Sequence, residues 1–212
     1  MKKFDPFDFP EEQIPKHSKV VNVVCFFDVV EFTKETTNKD MQNIIRKIEE
    51  DMSDLLYNGF NWNEKGRDKY DEPIHNDLIL IPTGDGYGIG FNPGLDDKRI
   101  LDTITSIYKQ LLADNGLKIR MGVAKGPNVR HIDKNDVVNL FGYGINLAAR
   151  VINVAKPNQI LLHSVYAEEL GQATKMSDLC KIEKPMPSKH GESIIVYNYY
   201  RSGEFGIPHP KQ

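Results

Sequence analysis

Val20-Val21-Asn22-Val23-Val24-Cys25-Phe26-Phe27 is β-branched or aromatic at nearly every position, and it runs directly into Asp28. A run that is apolar on both of its alternating sides has no solvent face. It therefore predicts a central strand covered from above and below. Working outward, residues 1–18 are rich in proline, charge and aromatics and are expected to form an irregular arm. On the other side, Met41, Ile44, Ile45, Ile48, Met52 and Leu55 recur at helical spacing and predict an amphipathic helix over 39–56. Residues 57–76 have no clear period, contain the single Trp62, and read as an inserted loop. Residues 77–91 read as two strands around the turn Thr83-Gly84-Asp85-Gly86. Ile100, Leu101, Ile104, Ile107, Leu111 and Leu112 mark a second amphipathic helix, with Asn115-Gly116 as its C-cap.

A strand over 117–124 follows, then a helix of small residues over 144–155 that Pro157 stops. A strand at 159–163, a short helix at 165–170 and a last strand at 193–200 complete the order. The sequence β-α-β-β-α-β with a C-terminal α/β extension fits an α+β fold with a ferredoxin-like βαββαβ core. Its expected limits are 19–201, leaving 202–212 as a tail. That architecture hosts many activities, so it assigns none.

Composition narrows the classes. The 212 residues are 40% hydrophobic and 27% charged, as in an ordinary globular domain. The net charge of -3 provides no basic field for nucleic acid phosphates. The two cysteines, Cys25 and Cys180, make no disulfide framework, which fits a reducing compartment. The six histidines show no i,i+4 pair, and none is read as a metal ligand. No stretch reaches the roughly 18 apolar residues of a membrane helix, and the first residues do not read as a signal peptide. A soluble cytoplasmic protein is expected.

Two carboxylates stand at strand ends. Asp28 follows the buried run, and Asp85 lies at the tip of the hairpin. Each alone is also an ordinary turn residue. If the first strand pairs with that hairpin, both project from one edge of the sheet, where two hard oxygen ligands would suit Mg²⁺ or Mn²⁺. A third segment, Phe141-Gly142-Tyr143-Gly144-Ile145-Asn146-Leu147-Ala148-Ala149-Arg150, sets Asn146 and Arg150 four apart on one helix side. An amide and a guanidinium there could face phosphate charge, or could simply be solvated.

Together these segments resemble the catalytic domains of class III nucleotidyl cyclases, over about residues 18–200. Phe26-Phe27-Asp28-Val29-Val30-Glu31-Phe32-Thr33 is similar to the family's F-x-D-I-x-G-F-T run, with Glu31 departing from the usual Gly. Gly84-Asp85-Gly86 resembles its second metal motif, and Gly142 to Arg150 its G-x-x-V-N-x-A-A-R helix. Ile119-Arg120-Met121-Gly122-Val123-Ala124 resembles the strand between them.

The resemblance implies that Asp28 and Asp85, with the Val29 carbonyl, hold two Mg²⁺ or Mn²⁺ ions per site. It implies that Phe32 and Thr33 backbone N–H groups hold phosphate oxygens, that Arg150 stabilises charge at the α-phosphoryl group, and that Asn146 orients the ribose. Lys189 is a candidate triphosphate ligand. In this family the Asp pair and the Asn/Arg pair of one site come from different subunits, so a homodimer is implied, with a nucleoside triphosphate as the small-molecule partner and neither nucleic acid nor membrane.

At the positions that set base choice in the family, this chain has Ile81 and Asn139, which is neither the adenylate nor the guanylate pattern. An Asn amide can serve uracil or cytosine by turning over, and can hydrogen-bond adenine too. With no sensor segment evident, the chain resembles the bacterial anti-phage pyrimidine cyclases, which implies UTP as substrate and cyclic UMP as product. Cytidylate or adenylate cyclase activity, or an inactive cyclase-like regulatory dimer, are the alternatives. A cyclic dinucleotide synthase would be expected to carry a Gly-Gly-Asp/Glu-Glu-Phe hairpin, which Thr83-Gly84-Asp85-Gly86-Tyr87 is not.

Overall fold

The computed structural model describes residues 19–30, 38–59, 78–115, 117–132, 134, 137–173, 177–182, 185–187 and 193–208. The elements are β1 (Lys19–Val29), α1 (Asn38–Gly59), β2 (Leu78–Pro82), β3 (Gly86–Phe91), α2 (Asp97–Asn115), β4 (Ile119–Ile132), β5 (Val138–Gly142), α3 (Tyr143–Val154), β6 (Ile160–His163), α4 (Ser164–Ala173), β7 (Leu179–Lys181), β8 (Met186–Pro187), β9 (Ser193–Ile194) and β10 (Val196–Tyr199). The main sheet runs β2-β3-β1-β4-β6-β10-β7, with β5 pairing on β4. Its first four strands are in the ferredoxin-like order, as the sequence predicts.

β1 is the centre. It pairs antiparallel with β3 on one side and β4 on the other. Its alternation divides the core cleanly. Val23, Cys25, Phe27 and Val29 enter one cluster with Ile48 and Met52 of α1 and with Ile100, Ile104 and Leu111 of α2. Val24 faces the opposite way, into a cluster with Leu147 and Ala148 of α3. Burial pushes the Cys25 thiol up to about 12, so it behaves as a small core apolar group.

Four differences from the sequence reading have physical causes. β4 continues past Ala124 to Ile132, although Gly126-Pro127 looks like a break. Its outer side pairs with β6 over 121–123 and with β5 from Asn128 onward. Pro127 falls in the gap between those neighbours, where a strand tolerates proline. The last strand is interrupted at Ile195, whose carbonyl accepts the Ser164 N–H at the start of α4. The short strands β5, β7 and β8 carry too few residues to show a period. Beyond residue 201 the chain is not a free tail: Phe205 is buried and packs on Tyr199, ring centroids 4.7 Å apart. Residues 1–18, most of 57–76 and Gly116 lie outside the described residues; 57–59 continue α1.

α3 lies against the sheet because two glycines of β4 let it. A methyl on Gly122 would come within 2.2 Å of the Ile152 backbone nitrogen, and one on Gly126 within 2.9 Å of the Gly144 Cα. These contacts also fix direction, since Gly144 opposes Gly126 while Ile152 opposes Gly122. α3 therefore runs antiparallel to β4. Replacing Gly122 by Ala is expected to push the C-terminal half of α3 off the sheet and cost about 1–3 kcal/mol, read as a lowered urea midpoint with an unchanged slope.

Candidate active site

The edge of the sheet at the end of β1 is built by three strands. On one side Asp28 pairs with Gly86 of β3; on the other it pairs with Arg120 of β4. The turn before β3 closes with the Thr83 N–H donating to the Gly86 carbonyl at 3.0 Å, and Gly84 supplies the positive φ of 98° that the turn needs. The Val29 N–H then donates to the Asp85 carbonyl at 3.0 Å. Gly86 allows this approach, because a methyl there would lie 1.9 Å from the Phe27 carbonyl oxygen. Asp28 and Asp85 are thereby held on adjacent strand ends, as the resemblance requires of a metal pair.

Asp28 is not idle. Arg120 grips it in a fork: Nε donates to Oδ1 at 2.8 Å and to Oδ2 at 3.0 Å, and Nη2 donates to Oδ2 at 2.8 Å. The pair is partly buried, the Asp28 side chain keeping 17% exposure and Arg120 30%. These hydrogen bonds raise the Arg120 pKa further against the opposing effect of burial, and Asp85 adds to the rise. Arg120 is the partner of Asp28 that the sequence reading passes over as one letter of a strand. The signal was present: a guanidinium inside a buried apolar strand must find a partner, and the end of the neighbouring strand offers a carboxylate.

The donor set fits a hard divalent cation. Two carboxylates and a carbonyl are all oxygen donors, and the Arg120 fork uses part of the lone-pair capacity of Asp28. Among the described residues no group of three or more His, Cys, Asp or Glu side chains converges, so a cation here would need further ligands from substrate or water.

Asn146 and Arg150 are placed apart from this edge. Asn128, buried in β4, accepts the Ile145 N–H at 2.9 Å and so caps α3 from the sheet, where Gly142 offers no side chain. With Gly144 set at Gly126, Asn146 lies roughly 16 Å along the strand from Arg120, and Arg150 roughly 11 Å. Asn146 is exposed and Arg150 half-buried, both off the face that packs on β4.

The expected base-pocket pair is also split. Ile81 packs with the cluster that holds Val138 and Leu140. Asn139, between them on β5, points to the other side with exposed Val137 and Phe141. The two positions therefore do not share a wall within a single chain, because strand alternation turns Asn139 away. Phe32, Thr33 and Lys189 lie outside the described residues.

The fold has close relatives in shape. The guanylate cyclase domain of RhGC from Catenaria anguillulae, solved with GTP, superposes with a TM-score of 0.64 at 17% identity, covering 86% of this chain and 97% of that one. The adenylyl cyclase CyaB from P. aeruginosa gives 0.62 at 16% identity, covering 89% and 98%. A non-canonical dimeric guanylyl cyclase domain of the RhoGC fusion protein from Blastocladiella emersonii gives 0.60 at 16%, covering 85% and 96%. No protein-family model matches the sequence, and no curated protein matches it. The fold is that of the class III adenylyl and guanylyl cyclase catalytic domains.

Replacing Asn128 by Ala should cost about 1 kcal/mol by uncapping α3. The check is chemical denaturation, with a loss of that size expected and the sheet retained by circular dichroism.

Proposed function

We propose that this chain is a nucleotidyl cyclase, converting a nucleoside triphosphate to a 3′,5′-cyclic nucleotide and pyrophosphate. The observation that carries the reading is the pinning of Asp85 beside Asp28 by the Val29 hydrogen bond and the Gly86 contact. The cyclase fold of the domain supports it. Asp28, Asp85 and the Val29 carbonyl would hold two Mg²⁺ or Mn²⁺ ions. Bound there, such ions would make the ribose 3′-hydroxyl a better nucleophile and neutralise the departing pyrophosphate.

The remaining work falls to the protein's own groups. Arg150 would face the charge that builds on the α-phosphoryl oxygens, and Asn146 would orient the ribose. Backbone N–H groups of Phe32 and Thr33, with Lys189, would bind the other phosphates. Positioning and charge, rather than a covalent intermediate, would carry the rate.

A homodimer is part of this reading, in keeping with the spacing of the two residue sets along β4. Each chain would give its carboxylates to one site and its Asn146 and Arg150 to the other. Exposed Val21, Val137, Phe141 and Tyr143 supply apolar surface around the β4–β5 arm and the start of α3 for such a contact. Among the similar domains, that of the RhoGC fusion protein is described both as a non-canonical dimer and as a monomer.

For the base, the reading is UTP, giving cyclic UMP as an anti-phage second messenger in the cytoplasm. It rests on the sequence alone, where Ile81 and Asn139 match neither purine pattern, and not on the position of those two residues in the single chain, which face different sides of β5. No helix among the described residues is long and apolar enough to cross a membrane.

The test is incubation with each of ATP, GTP, CTP and UTP plus Mn²⁺, with products identified by mass spectrometry. Cyclic UMP is expected. Cyclic AMP or cyclic CMP alone would overturn the base assignment, and no product from any triphosphate would favour the regulatory dimer. D85N and R150A should each lose activity, and their equimolar mixture should recover about a quarter of it through heterodimers with one intact site.

A further inference from the structure

We infer that Arg130, on β4, is the docking point for the acidic stretch that precedes β1 in this same chain, with Glu11 and Glu12 as the carboxylates it receives. Arg130 is half-buried and lies opposite Leu140 in the β4–β5 ladder. Directly paired residues project to the same side of a sheet. On that side Leu140 is buried in the cluster that also holds Leu147 and Ala148 of α3. The preceding residue of β4 on the same side is Asn128, at the positive N-terminal end of α3. Burial lowers the Arg130 pKa, and no acid opposes that effect. Among the described residues no carboxylate pairs with it, whereas Arg46, Arg120 and Arg201 each hold one. A guanidinium taken partly out of water without an anion is costly. The described fold leaves Arg130 one anion short.

The chain itself carries carboxylates to this place. Val129 pairs with Lys19, the first residue of β1, so the segment before β1 joins the sheet one position from Arg130. Residues 4–15, outside the described residues, contain Asp5, Asp8, Glu11 and Glu12 and no basic side chain. Glu12 precedes Lys19 by seven residues, and that length of extended chain spans up to about 24 Å, ample for a return to Arg130. Pro10 and Pro15 bracket the two glutamates and reduce the conformational freedom that docking must freeze. A carboxylate on the guanidinium fork would satisfy the half-buried charge, which selects an acidic segment over an apolar one.

Trypsin cleavage after Lys16 of the full-length protein, followed by mass spectrometry, tests this, because Lys16 lies between the glutamates and β1. R130M is expected to be cut about fivefold faster than wild type. E11Q/E12Q should show the same gain, and the combined variant should be cut no faster than either. About 1 M NaCl should bring wild type to the rate of R130M. If R130M does not fold, as judged by its urea transition, E11Q/E12Q and the salt dependence carry the test. Equal rates in wild type, R130M and E11Q/E12Q would overturn the proposal, as would a faster rate in only one of the two folded variants. Protection that rises with protein concentration would place the partner carboxylate on a second copy and overturn it as well.

Discussion

A single backbone hydrogen bond, from the Val29 N–H to the Asp85 carbonyl at 3.0 Å, ties the end of the central strand to the tip of the neighbouring hairpin. Everything chemical in the candidate site depends on that tie. It forms because β1 and β3 are in register up to Asp28 and Gly86, and because Gly86 has no side chain to hold the strands apart. A residue of any other type would drive Cβ into the Phe27 carbonyl oxygen. Phe27 itself is fully buried, so the strand cannot shift to make room without opening the core. The backbone placement of the two acidic residues is thus enforced by packing beneath them, while Arg120 holds the Asp28 carboxylate itself.

The same economy places α3. Gly122 and Gly126 are four residues apart on one face of β4, and they allow the helix backbone to approach the strand. Asn128 then supplies the cap that the helix lacks locally. Rigid seating matters because α3 carries Asn146 and Arg150 on a side that does not touch the sheet. Those two residues lie on the helix, while the carboxylates sit at the strand ends. A division of this kind is costly for a monomeric site and natural for a site completed by a second copy.

Much of the fold was legible in the sequence, and the reason is burial. Val20 to Phe27 is apolar on both sides because helices cover both sides, and α1 and α2 show clean helical periods because each buries one stripe. The Asp28 and Asp85 placement was readable because a strand end and a Gly-flanked turn are local signals. The rest was hidden where the determining contact is distant in sequence. Arg120 finds Asp28 across 92 residues. The length of β4 depends on which strand lies beside Pro127, a property of the sheet rather than of the local sequence. The resemblance makes Asn139 and Ile81 a pair, yet alternation in β5 turns them apart, and a motif position alone carries no face.

The proposed function stands on Asp28, at the end of β1, and Asp85, in the turn before β3, binding divalent metal opposite a second protomer's guanidinium. A crystal structure of the protein grown with Mn²⁺ and a non-cyclisable UTP analogue, read at the manganese absorption edge, is the most direct check. Anomalous peaks in contact with Asp28 and Asp85, with Arg150 of a second copy within reach of the α-phosphate, are expected. Manganese bound away from both carboxylates, or nucleotide bound with no second copy's Arg150 near it, would contradict it.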